Sequence, residues 1–483
     1  MSRVDEAHFR HLVEETRLDA YLLTRRYPPG EAGTGVTSYF GATPRLPHGM
    51  DWPVATDRRP LNFLAQIDLA ALAPMAGGSP LPAEGTLFFF ADACLDRGNR
   101  PLDPAWAAVR YTPGGTASET MRPAPDGLPP LFDRSGFEGF PWLRERDPMG
   151  SDEPSTYPFW PIAPRLMRTY DETTPASIRR DGSQEFAYER AWKAAQEEAF
   201  AEAIGEPARF QDPSYWSEPN RARFDFAPIR PQESRTLWLP DDAWPYAWVH
   251  IRIFTAEMMR RLEDTERNLA SLLRHGGATE AAVAEARAVY ARAGSQAEGW
   301  YARARTSDLT APVPPADRAA FVAWLRQIEQ PYKPEWSLRD PNARRFRLLV
   351  DGNVHVLDAV HLNRWTAVAL LHGTHACLGY GAPGTVPRAL PPHLLGVLRP
   401  AYAASQRDTD GRRRLKQHQL LGVPVTVQTA AGELRPTHRL LAQFESDDIQ
   451  FFFFGGGMLQ FWITPADLAE RCFDRCVVTA EST

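Results

Sequence analysis

Lysine is nearly missing from this chain. Of its 54 basic residues, only Lys193, Lys333 and Lys416 are lysine, and arginine makes up the rest. With 44 prolines and abundant alanine alongside, the bias reads as GC-rich coding rather than an arginine recognition surface. The net charge of -6 supplies no general attraction to nucleic acid or to an anionic membrane, so neither is expected as a partner. The one dense basic run, Gly411 to Lys416, has Asp408 and Asp410 beside it. Cysteine is scarce as well. Four in 483 residues exclude a secreted disulfide scaffold, and a chain of this length buries enough apolar surface to fold without staples. Long apolar runs are also lacking. Trp365 to Leu371 falls far short of the ~20 residues of a membrane span. Met1 to His11 has no apolar leader core, so the expected location is the cytoplasm, with reduced thiols. Neither a Gly-x-Ser-x-Gly elbow nor a Gly-x-x-x-x-Gly-Lys loop occurs.

What remains is ordinary globular composition, 43% hydrophobic and 24% charged, with a length that suits about three domains or modules. Phe9, Leu12, Val13, Tyr21 and Leu22 fall roughly on one face and predict a first helix. Leu61 to Asp68 and Leu81 to Phe90 read as strands, the second buried and aromatic. The C-terminal region replays that order. Leu421 to Pro424 corresponds to Phe40 to Pro44, Leu440 to Glu445 to Phe63 to Asp68, and Gly457 to Ile463 to Gly85 to Phe90. A shared order with drifting loop lengths points to a diverged duplication.

The middle of the chain differs. Residues 113–182 are rich in proline and glycine. Ser183 to Ile204 predicts a helix with Phe186, Trp192, Ala199, Phe200 and Ala203 on one side and Gly205 past its end. Thr236 to Leu239 and Ala247 to Phe254 read as strands. Thr255 to Arg274 and Thr279 to Arg292 read as a helical hairpin with capping threonines and a His275-Gly-Gly277 bend. Asp317 to Ile328 predicts another helix. Arg345 to Leu357, with Asp351-Gly352 at its turn, predicts a β-hairpin. Thr464-Pro465 begins a terminal helix.

Phe40-Gly41 through Pro44, Leu46-Pro47, Trp52-Pro53, Phe63 to Asp68 and Gly85 to Phe89 are similar to one end of a known pattern. His418 to Pro424, Val427-Gln428, Leu440 to Phe444, Gly457 to Ile463 and Asp467-Leu468 are similar to the other. In this ordered set the chain resembles the DUF1963, or YwqG-like, family of bacterial proteins. The resemblance implies an α+β fold built largely on antiparallel sheet. It implies no activity. The chain departs from the pattern in its long middle section and in Ser446 to Phe454. The expected architecture is α+β, mostly antiparallel sheet from two diverged repeats with a helical insertion between them. Its parts are residues 1–112, 113–344 and 345–483.

Candidate chemistry is thin. Gly455 to Gly457 reads as a bend. Cys472 and Cys476, beside Arg471 and Arg475 on the presumed terminal helix, are either activated thiols or small buried residues, and the second reading is preferred. His361, His372, His375 and Cys377 offer zinc-type ligands. Gly373 interrupts their turn and no His-Glu-x-x-His accompanies them, so no metal or other cofactor is expected.

The repeats hold more. Gln66 and Asp68 alternate on one strand, as Gln443 and Glu445 do, so each pair shares a face with Leu64 or Leu441 while Phe63, Ala65 and Ile67 point away. Buried amides and carboxylates require hydrogen bonds. Either they brace the turn loops, or they line a cleft between the halves together with Arg45, His48, Trp52, His418, Gln419, Gln428 and His438. Two functions follow. The first is a non-enzymatic protein binding a polar small molecule or another protein. The second is a hydrolase-like enzyme with His418 or His48 as general base, oriented by Asp68 or Glu445. No nucleophile or metal completes the second, and the first is preferred.

Overall fold

Thr16 and Arg17 cut the first apolar stretch in two. Helix α1 spans Arg3–Glu14 and strand β1 spans Leu18–Arg25. Tyr21 and Leu22 therefore belong to a strand, not to the helical face expected of them. Ala20 through Arg25 are buried in succession, which only a central strand covered on both sides allows. The computed structural model describes residues 3–26, 35–75, 79–93, 105–116, 119–131, 155–178, 182–205, 236–274, 280–329, 359–380, 390–391, 405–407, 413–415, 418–426, 429–446 and 457–481. The chain divides into two compact units, Met1–Asp133 with Pro154–Arg221 and Arg399–Thr483, and Arg134–Glu153 with Ala222–Leu398.

The first unit carries one large antiparallel sheet. Its further strands are β2 (Tyr39–Phe40), β3 (Asn62–Asp68), β4 (Thr86–Ala91), β5 (Ala107–Thr112) and β6 (Trp160–Thr169). A two-stranded ribbon follows, β7 (Ser405–Arg407) with β8 (Arg413–Leu415). The sheet resumes with β9 (Gln419–Leu421), β10 (Arg439–Glu445), β11 (Met458–Ile463) and β12 (Val477–Glu481). The order of its ten strands is β12-β11-β10-β9-β1-β6-β2-β3-β4-β5. It reads the same from both edges inward, with the β1–β6 pair at the centre.

The register repeats on both sides. Gln66 faces Tyr39 on β2 and Phe88 on β4, and Gln443 faces Gln419 on β9 and Gln460 on β11. Each side has one β-bulge, at Leu64 and at Leu441. Each short inner strand runs into two successive residues of positive φ, Gly41 and Ala42 (68° and 53°) and Leu421 and Gly422 (57° and 78°). The bulge corrects the expected face pattern. An extra residue at Leu64 flips what precedes it, so Phe63 shares the face of Gln66 instead of opposing it.

The register also says which faces meet. Phe40, Ala65 and Phe89 point opposite to Gln66, and Ala442, Phe444 and Phe461 opposite to Gln443. Those two faces pack together. Phe40 meets Phe444 at 6.3 Å between ring centroids, and Phe89 meets Phe444 and Phe461 at 5.2 Å each. Each buried phenylalanine contributes about 2 kcal/mol, and the edge-to-face geometry adds about 1 kcal/mol per pair. The seam between the halves is thus an aromatic core.

Helix α2, Ser183–Ile204, ends at Gly205 in the left-handed conformation, as its sequence predicts. It packs with α1 over β1 and β6 through Val13, Leu22, Met167, Tyr188 and Phe200. Phe186 does not join that face and is 63% exposed, because Ala187, Tyr188 and Ala191 supply the buried stripe. β6 and α2 lie within residues 113–344, yet they belong to the first unit. The short helix Pro465–Ala469 begins as expected, with Thr464 Oγ1 accepting the Asp467 N–H at 3.0 Å.

The second unit is helical. Helix α3 spans Trp248–Arg274, so Ala247 to Phe254 is not the strand its apolar run suggests. Thr255 is interior to it and donates its hydroxyl to the Ile251 carbonyl at 2.8 Å. Thr236 to Leu239 forms no ladder. Its backbone is satisfied by side chains instead, with Trp238 N–H on Asn363 Oδ1 (2.6 Å) and Leu237 N–H on Glu329 Oε1 (2.7 Å). Helix α4 spans Glu280–Thr306, well past Arg292, and pairs with α3 as the expected hairpin. Helix α5 spans Pro315–Ile328 and helix α6 spans Ala359–Tyr380. The His275-Gly-Gly277 bend and the hairpin expected over 345–357 lie outside the described residues. Among the described residues no helix is long and apolar enough to cross a membrane.

Gly373 does not interrupt α6; it makes room for His250. A Cβ there would lie 2.8 Å from His250 Cδ2. The imidazole is buried, which pushes its pKa down to about 4, and its Nε2 lies 3.4 Å from Thr374 Oγ1. Gly373→Ala gains about 1 kcal/mol of helix propensity but overpacks this crossing by about 1–3 kcal/mol. Chemical denaturation should show a net loss. In a His250→Ala background the same change should turn neutral or stabilising, and an unchanged penalty there would refute the contact.

Candidate functional site

The two glutamines that the sequence singles out have unlike surroundings. Gln66 is fully buried and its amide is saturated. Oε1 accepts from the Tyr39 hydroxyl (3.1 Å) and the Arg45 N–H (3.0 Å), and Nε2 donates to the Thr37 carbonyl (3.0 Å) and Thr116 Oγ1 (2.8 Å). This is a brace that holds the turn loop over the strand. Gln443 begins the same way, since its Oε1 accepts from the Val425 N–H at 3.0 Å. Val425 follows Pro424 just as Arg45 follows Pro44. Around it, however, the tyrosine and phenylalanine of the first half are replaced by Gln419 and Gln460.

The result is a row of buried amides across three strands, Gln419, Gln443 and Gln460, none exposed. Gln419 Nε2 donates to the carbonyls of Leu421 (3.0 Å) and Val423 (2.9 Å). Gln460 Nε2 donates to the Val425 carbonyl (2.7 Å) and Gln443 Oε1 (3.0 Å). In both side chains the nitrogen faces two oxygen acceptors, which fixes the amide orientation. The oxygens, Gln419 Oε1 and Gln460 Oε1, are then buried acceptors with no donor among the described residues. Each such group costs about 1–3 kcal/mol if left unmet. The next rung of the same face holds Glu445, Met458 and Glu481, all buried, and both carboxyl groups have partners of their own.

The other expected residues are dispersed. Arg45 is buried beside Tyr39, whose phenol is pushed up by burial against the lowering effect of that guanidinium. His48 is exposed. Trp52 is half-buried, donates Nε1–H to the Leu61 carbonyl (2.9 Å) and sits edge-on to Phe90. Asp68 caps the turn Leu69–Ala71 by accepting the Ala70 N–H. His438 lies beside Thr437 Oγ1 at 2.8 Å. Gln428 lies outside the described residues. Gln66 and Gln443 face away from the aromatic seam, each under the loop of its own half, so they do not converge there.

His418 does reach the seam. It is buried with its ring 5.2 Å from that of Phe40, and Arg25 covers the same phenylalanine at 5.2 Å. Its Nδ1 accepts the backbone N–H of Glu445 at 3.2 Å. That contact puts the ring proton on Nε2. A general base oriented through Nδ1 by a carboxylate is the reverse arrangement.

Cys472 and Cys476 flank the turn Phe473–Arg475 rather than sharing a helix, and burial pushes Cys476 up to about 12. Burial likewise raises Cys377; the side chains of His361, His372 and His375 lie outside the described residues. Asp467, Glu470 and Cys472 bring ligand atoms within 4.8 Å of one another. The Asp467 carboxylate is already held by Thr464 Oγ1 (2.6 Å) and Arg475 (2.9 Å).

One cation secures the loop over the amide row. Arg435 donates to the Pro424 carbonyl (3.2 Å), Thr426 Oγ1 (2.8 Å) and Asp171 Oδ1 (2.8 Å). Burial raises the Asp171 pKa, but bonds from Thr173 and the Arg435 guanidinium outweigh it and leave the carboxyl below its ordinary value. A depressed carboxylate stabilises the fold above its unfolded pKa of about 3.9, and that stability is lost as pH falls through the folded value. The pair is partly exposed, so Asp171→Asn should cost only about 1 kcal/mol at pH 7. Denaturation curves at pH 7 and pH 3 should show that difference shrinking toward zero; a constant difference would assign it to packing.

Gln460 is the residue that sequence reasoning passes over. Its signal is present, since it is the one amide in the apolar run Met458 to Ile463 and falls on the face opposite Phe461. No curated protein matches the chain. A family model described as a domain of unknown function, DUF1963, matches residues 38–217 and 353–481. Those segments cover more than half of the chain and include strands from both sides of the sheet, the saturated Gln66 and the amide row. The chain therefore belongs to the DUF1963 family.

Proposed function

We propose that this chain is a cytoplasmic, non-enzymatic binding protein for a small polar molecule. The site is the buried amide face of its C-terminal half. The observation that carries this reading is the pair of orientation-fixed oxygens, Gln419 Oε1 and Gln460 Oε1, buried without a donor among the described residues. Folded proteins rarely leave such groups unmet, and a functional ligand is one reason they persist.

The halves are diverged copies of one unit, corresponding to residues 1–112 and 345–483 with added strand and helix from the stretch between. The mirrored strand order, paired bulges and paired positive-φ turns support this. Duplication gives the comparison its force. One copy closed its glutamine with Tyr39 and Thr116, and the other kept acceptors open. His418, with its Nδ1 on a main-chain N–H, supports binding over hydrolysis.

The test is a screen of small polar fragments by protein NMR with isotope-labelled glutamine side chains. Hits should shift the Gln419 and Gln460 amide resonances together and leave Gln66 in place. Fragments that move only surface resonances, with both amides static throughout the library, would end the reading.

A further inference from the structure

The polarity of the amide face restricts what it can hold. Both Gln419 Nε2 protons and both Gln460 Nε2 protons are spent on protein oxygens. Gln443 Oε1 is occupied twice, by the Val425 N–H and by Gln460, and the rest of Gln443 is engaged as well. What the glutamines still offer is two acceptors and no amide donor. A carboxylate or phosphate would set its lone pairs against those oxygens with no amide N–H to donate to it. The sign of the surroundings points the same way. From β9 to β12 the strand residues on this face are Gln419, Leu440, Gln443, Glu445, Met458, Gln460, Trp462, Val477, Thr479 and Glu481, none of them basic; the cation over the loop, Arg435, is paired with Asp171 at 2.8 Å. Two of the strand residues are carboxylic acids. Trp462 adds an aromatic wall one rung from Gln460, with its own N–H on Thr479 Oγ1 at 3.0 Å. Aromatic faces favour cations and disfavour anions.

We propose that the ligand is a small organic cation bearing several N–H donors, of the alkylammonium or guanidinium class, bound between Gln419 Oε1 and Gln460 Oε1. This rests on the reading of the face as a binding site and specifies its chemistry. A nitrogen cation of this class carries enough N–H donors for both oxygens, and charge-assisted bonds are roughly twice as strong as neutral ones.

The experiment uses the full chain with putrescine and agmatine as cationic probes. N-ethylurea serves as a neutral donor, and acetate and inorganic phosphate as anions. Melting temperature and the glutamine side-chain NMR signals are read for each. At least one cation should raise the melting temperature by about 3 °C at a hundredfold excess over its Kd and shift Gln419 and Gln460 together. The anions should do neither. Gln419→Met and Gln460→Met should lose the stabilisation, and where a variant fails to fold the wild-type NMR shifts decide. A response to N-ethylurea with none to either cation overturns the cation class and leaves the site. Cation stabilisation that persists in folded Met variants, or that leaves both amides unmoved, places the binding elsewhere and overturns the proposal. Silence of both amides to every probe, N-ethylurea included, overturns the site itself.

Discussion

Gly422→Ala should cost about 4 kcal/mol or more, a large fraction of the ~5–15 kcal/mol that holds a typical domain folded. Two effects add. At φ 78° any side chain is strained by about 1–2 kcal/mol. The new Cβ would also lie 2.5 Å from Ala20 Cβ and 2.6 Å from Thr169 Oγ1, and neither neighbour has room to withdraw. Thr169 Oγ1 is itself committed, accepting the Val423 N–H at 2.8 Å. The corresponding turn in the first half gives the control. Ala42 carries the same handedness at φ 53° but is half-buried, so Ala42→Gly should be neutral or stabilise by about 0.5–1 kcal/mol. A Gly422→Ala cost no larger than the gain from Ala42→Gly in urea denaturation would show that conformation, not the close approach to β1, controls the turn.

Gln66→Ala should be nearly as damaging. It leaves the Tyr39 hydroxyl, the Arg45 N–H, the Thr37 carbonyl and Thr116 Oγ1 without the amide that joins them. The Tyr39 hydroxyl keeps a second bond, to the Thr43 carbonyl at 3.0 Å, so the loss is not fully additive. About 3–4 kcal/mol is expected. Gln460→Met removes bonds to Val425 and Gln443 but also an unmet buried oxygen, so it should cost roughly 1 kcal/mol. The contrast between the two positions, measured by the same denaturation, separates the closed side of the sheet from the open one. Equal losses would remove the asymmetry on which the site depends.

Much of this fold is legible in the sequence where one period dominates. β3, β10 and β11 stand out as short apolar runs between turn residues, and α2 and α5 as amphipathic segments with clear ends. Errors arise where two periods fit. Phe9 through Leu22 match a helical face by spacing, yet Thr16 and Arg17 break the helix and Tyr21 and Leu22 pair in the sheet. Ala247 through Phe254 is apolar and partly β-branched, which suits a strand equally well. Only its continuity with the helix beyond Thr255 decides otherwise, and Thr255 looks like a cap because its carbonyl-directed hydroxyl bond is invisible in one dimension.

The repeated words are visible in the sequence, but their geometry is not. Aligning Gly41 with Gly422 looks natural, whereas the register makes Leu421 the partner of Gly41 and Gly422 the partner of Ala42. Bulges at Leu64 and Leu441 then decide which side chains face the seam. A shift of one residue moves a whole face, so Phe63 and Leu440 change sides, while Gln66 and Gln443 face away from the aromatic seam rather than across a cleft. Gln460 is missed for a related reason. A single amide among Leu459, Phe461 and Trp462 carries meaning only once β9 and β10 place Gln419 and Gln443 beside it.

The most direct measurement is a high-resolution crystal structure of the full chain grown with agmatine, refined without ligand until the last step. The account predicts difference density for a nitrogen cation within hydrogen-bond distance, about 2.7–3.1 Å, of both Gln419 Oε1 and Gln460 Oε1, with Gln66 bonded only to protein. A single ordered water on each oxygen, or a protein N–H filling either place, would contradict it.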